Sequence, residues 1–171
     1  MVIWIIGVSG SGKSFFAKRL YQKLKLKRKK IIWIDGDKFR KKYSKDLKYS
    51  LKDRRENSRR IQKYCLQYDK KKYIVICSVL SIFPNHQKKN REIFNNYIQI
   101  QIDANINKIK KRNNKKIYSK KVNVVGKDLK FPKPYKSDVN LKNNFDQKFE
   151  KKISKIEILI KKRLFQSLMI K

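Results

Sequence analysis

Apolar residues along this chain fall into two patterns. The first is the short run: VIWII (2–6), IIWID (31–35), YIVICS (73–78) and YIQIQI (97–102) each read as a strand, with DVNLKN (138–143) as a short fifth. Runs of this length suit strands buried on both faces of a sheet. The second is the helical period, present over 15–24, 53–70 and 85–96, with a short helix over 104–112. In the tail, Phe145, Phe149, Ile153, Ile156, Ile160 and Leu164 recur at spacings of three and four. That spacing predicts an amphipathic helix over about 145–168. Strands alternating with helices predict an α/β fold of three layers, a parallel sheet of about five strands with helices on both faces. The length, 171 residues, fits one domain over 1–171. Residues 113–137 are polar, carry Gly126, Pro132 and Pro134, and form a longer connection than packing requires.

Between the first run and the first helix lies GVSGSGKS, Gly7 to Ser14. It satisfies G-x-x-x-x-G-K-[ST], and it follows a strand and opens a helix, which is the context that confirms a P-loop. Glycines there let backbone N–H groups turn inward around phosphate oxygens, and the helix N-terminus adds a positive end. The candidate ATP-binding residues are Gly7, Ser9, Gly10, Ser11, Gly12, Lys13, Ser14 and Phe15. Lys13 should reach the β- and γ-phosphates, and the Ser14 hydroxyl should ligate Mg²⁺. ATP and Mg²⁺ are thus the expected cofactors.

The second run ends on acid, at Asp35-Gly36-Asp37. Ligands of open α/β sheets bind at the carboxyl ends of the strands. Asp35 is therefore a candidate to take the proton of an acceptor hydroxyl or to hold Mg²⁺, and Gly36 lets the backbone turn closely.

YSLKDRRENSRR (49–60) holds four of the ten arginines in a chain that otherwise prefers lysine. Asp53 and Glu56, three residues apart, read as the N-cap and partner of a helix start. The apolar stripe of that helix, Ile61, Tyr64, Cys65 and Tyr68, runs back through Asn57 and Arg54. Arg55 and Arg59 should point away, with Arg60 at the flank. An inward arginine needs an anionic or planar partner, and its fork fits a phosphate or sulfate as lysine's point charge does not. Two partners fit Arg54: a second anionic ligand beside ATP, or an internal aspartate.

The formal net charge is +35. An anionic macromolecule would explain it, and so would drift toward Lys, Asn and Ile. The lysines are spread over nearly every segment, which favours drift, with nonspecific polyanion binding at low salt as its consequence. Cys65 and Cys77 lack metal-type spacing and read as reduced core thiols of a cytoplasmic protein. His86 is the only histidine, so no histidine triad or multi-histidine metal site is available. No apolar run approaches the roughly 20 residues of a membrane span, and VIWII is too short for a signal-peptide core.

Read together, the motifs resemble the adenylyl-sulfate kinase family of P-loop kinases. The resemblance rests on GVSGSGKS, DGDKFR, the KDL-x-YS-x-x-DR-x-EN-x-RR block at 45–60, SVLS at 78–81, and R-x-x-K-x-IY followed by NVVGKDLKFPKP, and it extends to about residue 143. It implies transfer of the γ-phosphoryl of MgATP to the 3′-hydroxyl of adenylyl sulfate, in sulfate assimilation, and a homodimer. It implies Lys13, Asp35 and Arg112 as catalytic residues. Acceptor contacts fall to Asp37, Arg40, Tyr49, Arg54, Asn57, Ser81 and Lys115, with Tyr49 stacking on the acceptor's base. Ser14 and Asp35 are the metal-side pair. A lid over about 112–137 would carry Arg112, Lys115 and Tyr118. Ile82-Phe83-Pro84 stands where the family usually has Pro-Tyr-Arg, and Phe15, Lys48, Asn113 and Lys116 also depart from its common residues. These departures leave room for a P-loop kinase of another hydroxylated metabolite, a sugar or a nucleotide-linked compound. More distant readings are a nucleic-acid-binding P-loop protein and a nucleotide-binding regulator without turnover.

Overall fold

The expected strands pair as one sheet. In the computed structural model, residues 1–112, 123–146 and 148–169 are described. The elements in chain order are β1 (Val2–Ile6), α1 (Lys13–Lys25), β2 (Ile31–Asp35), α2 (Gly36–Tyr43), α3 (Leu51–Lys70), β3 (Ile74–Val79), α4 (Pro84–Ile93), β4 (Tyr97–Asp103), α5 (Ile106–Arg112), β5 (Val139–Lys142) and α6 (Lys148–Met169). The sheet order is β2-β3-β1-β4-β5, and every pairing is parallel.

Alternation along the strands divides the core. Ile3 and Ile5 of β1 face Phe16, Ala17, Leu20 and Leu24 of α1 and Ile153, Ile156 and Ile160 of α6. Val2, Trp4 and Ile6 face the opposite way, toward Phe39 of α2 and Ile61 and Cys65 of α3. Period two in the strands and period 3.6 in the helices thus build two apolar layers on one sheet. Both cysteines are buried and free, and burial, with the neighbouring Cys65 thiol second, pushes the Cys77 thiol well up.

Not every expectation survives. α2 was not foreseen, because its eight residues bury a single side chain, Phe39. The helix forms because the Asp35 carboxylate caps it, accepting from the N–H groups of Asp37 and Lys38. α3 starts two residues earlier than its apolar stripe suggested, and its cap is Ser50 rather than Asp53. The Ser50 hydroxyl accepts from the Asp53 N–H at 3.1 Å, while the Asp53 carboxylate accepts from the Lys48 N–H. Asp53 thus sits three residues after the cap, as a capping-box partner would, but reaches back to the Lys48 N–H rather than to that of Ser50. Phe145 is not on the tail helix. It has φ +64° and packs beside Val8, Ala104, Ile109 and Phe131. Ile153, Ile156 and Ile160 carry the predicted stripe; the side chains of Phe149 and Leu164 lie outside the described ones.

Among the described residues no helix is long and apolar enough to cross a membrane.

Candidate active site

The parallel register brings three strand ends together. Asp35 at the end of β2 lies beside Ser78 of β3, and Ser78 lies beside Ile5 of β1, two residues before the P-loop. The P-loop then doubles back to start α1. Gly7, at φ +148°, leaves no room for a side chain: a Cβ there would sit 2.3 Å from the Ile102 carbonyl oxygen. Gly10, at φ +80°, is closed in the same way by Ile109. The loop is thus moulded by β4 and α5, and Asn143 after β5 donates to the Ser11 carbonyl at 2.9 Å.

Asp35 is the hub of this end. Its Oδ2 accepts from the Ser14 hydroxyl at 2.6 Å and from the Ser78 hydroxyl at 3.2 Å, and its Oδ1 caps α2. Ser78 in turn accepts from the Trp33 ring N–H at 3.1 Å. The sequence reading missed Ser78; its signal was a small hydroxyl closing an otherwise apolar strand. The Lys13 ammonium donates to the Val8 carbonyl at 2.7 Å, which bends it back over the loop.

A cavity of about 480 Å³ opens from this hub. Its lining contains Ser9, Lys13, Ser14 and Asp35 from the nucleotide side, and Asp37, Arg40, Tyr49, Arg54, Asn57 and Ser81 from the predicted acceptor side. One space therefore joins the two half-sites. Gly7, Gly10, Ser11, Gly12 and Phe15 are not in its lining. The first four build the loop, and the exposed Phe15 ring lies under the Arg19 guanidinium at 5.6 Å. Arg112 is also not in the lining; its guanidinium sits 4.8 Å over the Phe145 ring. Lys115 and Tyr118 lie outside the described residues. Apolar wall residues that the sequence reading did not single out, Val124 and Val125, line the cavity beside Ile82 and Phe83.

Tyr49 is the centre of the predicted acceptor side. Its ring is 48% exposed, with the Arg40 guanidinium 5.1 Å and the Arg54 guanidinium 5.4 Å from its centre. Arg40 donates to the Lys48 carbonyl. Arg54 donates to the Tyr49 carbonyl at 3.1 Å and to the Asn123 carbonyl at 2.9 Å. Among the described residues Arg54 pairs with no carboxylate, so the internal-aspartate alternative falls away. Burial pulls the pKa of both arginines down, and for Arg54 the Arg40 charge adds to the effect. Two partly desolvated like charges around one ring favour an anion between them.

The rest of the arginine cluster is structural, with one exception. Arg59 pairs with Glu56, and Arg60 holds Asp46 and Glu56. Arg55, expected to point away, lies 4.6 Å over the Phe83 ring. Asn57 is buried, and its Oδ1 has no partner among the described residues. Ser81 sits at φ +48°, and its hydroxyl accepts from the Trp4 ring N–H at 3.2 Å.

No cluster of three or more His, Cys, Asp or Glu side chains among the described residues could cage a metal ion. Mg²⁺ does not require one. It keeps several waters and binds one or two hard oxygen ligands together with substrate phosphates. A serine hydroxyl bonded to a carboxylate at the mouth of a P-loop fits that habit, so Ser14 and Asp35 fit Mg²⁺.

Comparison with known proteins agrees with this geometry. The model of the adenylylsulphate kinase family matches residues 1–142. A cytidine diphosphoramidate kinase from Campylobacter jejuni is 32% identical over 166 residues, spanning 94% of this chain and 95% of that protein. An adenylyl-sulfate kinase from Buchnera aphidicola is 36% identical over 122 residues, 70% of this chain and 58% of that protein. An APS kinase from Mycobacterium tuberculosis, solved in complex with AMPPNP and APS, shares the fold with a TM-score of 0.83 at 23% identity, covering 94% of this chain and 96% of that one. The P-loop, the Asp35 hub and the 45–60 block thus sit in a family frame that spans most of the chain, and this chain belongs to the adenylylsulphate kinase family of ATP-dependent P-loop kinases.

Proposed function

We propose that this chain transfers the γ-phosphoryl group of ATP to a sugar hydroxyl of a nucleotide whose phosphate carries a small polar substituent, and that cytidine diphosphoramidate is this acceptor. One observation carries the acceptor class: the exposed Tyr49 ring, flanked by two guanidiniums, shares a single cavity with Lys13, Ser14 and Asp35. An aromatic face stacks on a base, and two arginine forks beside it can donate to its phosphates.

One observation favours the phosphoramidate. The match to the cytidine diphosphoramidate kinase runs along nearly the whole of both chains. The buried Asn57 Oδ1 is an acceptor without a partner among the described residues, and its amide, with donors as well as an acceptor, serves either substituent. A second reading, the 3′-hydroxyl of adenylyl sulfate giving 3′-phosphoadenylyl sulfate, is supported by the block at 45–60 and by the Buchnera relative.

The chemistry is positioning and charge neutralisation. The acceptor hydroxyl oxygen forms a bond to the γ-phosphorus, the bond from that phosphorus to the β,γ-bridging oxygen breaks, and ADP leaves. The hydroxyl proton departs late, to the Asp35–Asp37 carboxylates. Both oxygens of Asp35 already accept hydrogen bonds, so we assign Asp35 chiefly to holding Ser14 in place. Bound at Ser14, with Asp35 beside it, Mg²⁺ would neutralise charge on the β- and γ-phosphates. Lys13 exchanges the Val8 carbonyl for a phosphate oxygen. Arg112 on Phe145, in the segment tied to the P-loop through Asn143, is assigned to the ATP side.

The test is coupled ADP release with MgATP at moderate salt, with cytidine diphosphoramidate, with adenylyl sulfate, and with neither. Turnover dependent on cytidine diphosphoramidate is the expected result. Turnover with adenylyl sulfate alone selects the second reading, and ADP release with neither acceptor overturns both.

A further inference from the structure

Arg55 is the one arginine of the cluster whose position neither the apolar stripe nor an ion pair explains. Arg59 and Arg60 have carboxylate partners, and Arg54 has two carbonyls. Among the described residues Arg55 has no carboxylate partner. Its guanidinium carbon instead sits 4.6 Å from the centre of the Phe83 ring.

Phe83 is a built platform. It is 9% exposed and packs with Ile82 and Val125, backed by Leu80, Leu129 and Phe131. It also lines the cavity, as do Asn57 and Ser58, while Arg55 itself is exposed and sits outside the lining, over the outer side of this wall. Phe83 is the N-cap residue of α4, whose first turn has no acidic residue and no side-chain cap. The positive end of that ten-residue helix therefore faces the same corner. A second observation points to a ligand there: Asn57, 8% exposed and lining the same cavity, leaves its Oδ1 without a partner among the described residues.

We propose that Arg55, docked on Phe83 at the rim of the cavity, is a specificity-determining residue that reads the anionic arm of the nucleotide acceptor where it leaves the cavity beside α4. The inference rests on the acceptor class proposed above, though not on which base it carries. Stacking on an aromatic face fixes the plane of a guanidinium while its edge donors remain available, so an oxyanion entering between Asn57 and Phe83 meets an oriented fork. Tyr49 holds the base, Arg40 and Arg54 beside it hold the phosphate next to the nucleoside, and Arg55 supplies the far end. Arg55 touches the acceptor alone, so its loss should appear in acceptor affinity and not in ATP affinity.

The experiment compares wild type with Arg55→Gln, Arg55→Lys and, as a control on the same helix, Arg59→Gln. Steady-state kinetics use whichever of cytidine diphosphoramidate and adenylyl sulfate is turned over. Arg55→Gln should raise the acceptor KM about tenfold while the ATP KM stays within about twofold. Arg55→Lys should recover only part of the loss, because an ammonium keeps the charge without the planar stack. Arg59→Gln should leave the acceptor KM in place. Equilibrium binding of CDP and AMP against cytidine and adenosine gives a readout that needs no turnover: Arg55→Gln should weaken the nucleotides and spare the nucleosides. That result upholds the role of Arg55 even if neither acceptor is phosphorylated, which would overturn only the acceptor assignment. An unchanged acceptor KM, an equal loss for nucleosides and nucleotides, or an equal effect of Arg59→Gln each overturns the proposal.

Discussion

The Ser14 hydroxyl donates to Asp35 Oδ2 at 2.6 Å, and this bond ties the first turn of α1 to the end of β2. The two residues are 21 apart in sequence, with α1 between them. The same carboxylate caps α2 and receives Ser78 from β3. One side chain thus aligns the P-loop, two strand ends and the helix that leads to Arg40.

Asp35→Asn separates these duties. Asparagine caps a helix as well as aspartate does, so α2 should persist and thermal stability should change little. The carboxylate charge that holds Ser14, and with it the proposed metal side, is lost. We expect kcat to fall about 100-fold or more, with far-UV circular dichroism unchanged. A kcat within threefold of wild type would remove Asp35 from the mechanism.

Arg54→Lys tests the acceptor side. Its fork bridges the Tyr49 and Asn123 carbonyls while its face covers the Tyr49 ring. An ammonium cannot do all three. The acceptor KM should rise about tenfold and the ATP KM should hardly move. If both KM values shift together, Arg54 serves the fold of the whole cavity and not the acceptor.

Ser50→Ala tests the helix that delivers these residues. It removes the cap at the Asp53 N–H and should cost about 1 kcal/mol. For a chain of this size that lowers Tm by about 2–4 °C, readable by calorimetry. Asp53→Ala should leave this cap in place and remove only the bond to the Lys48 N–H.

His86 gives the fold a pH dependence. Its pKa lies below the ordinary 6.5, first because it is partly buried and then because Arg55, Arg59 and Lys89 repel the imidazolium. The unfolded chain therefore binds the proton before the folded one does as pH falls below 6.5. Stability is complete above that pH and declines on acidification until the folded ring protonates too. His86→Asn should flatten the slope of unfolding free energy as pH falls below 6.5. The Arg55→Gln variant should raise the His86 pKa, which ring proton shifts would follow by NMR.

Much of this molecule is legible one segment at a time. Continuous apolar runs cannot be solvated, so β1 to β4 and their burial follow from the residues themselves. Glycines, lysine and serine in P-loop spacing, between a strand and a helix, specify a phosphate site before any packing is known. The inward face of α3 places Arg54 and Asn57 at the strand edge by helical geometry alone. The tail stripe at Ile153, Ile156 and Ile160 is legible for the same reason.

What the chain does not show locally is decided by contacts between distant residues. Gln99 is a polar residue inside the YIQIQI run, and it is fully buried, donating to Gln87, the Tyr135 carbonyl and Ser137. Only the packing of α4 and the 135–137 segment makes that burial affordable, because each buried amide must find partners. α2 has too little apolar surface to predict, and exists because Asp35 caps it where the sheet ends. Phe145 leaves the helical register to fill a gap beside Ile109. Arg55 and Phe83 meet across 28 positions of chain because β3 returns the segment after it to the foot of α3. Periodicity reports which face of an element is apolar. Which element meets that face, and which polar atoms are left to meet a ligand, is settled only when the sheet order brings the strand ends together.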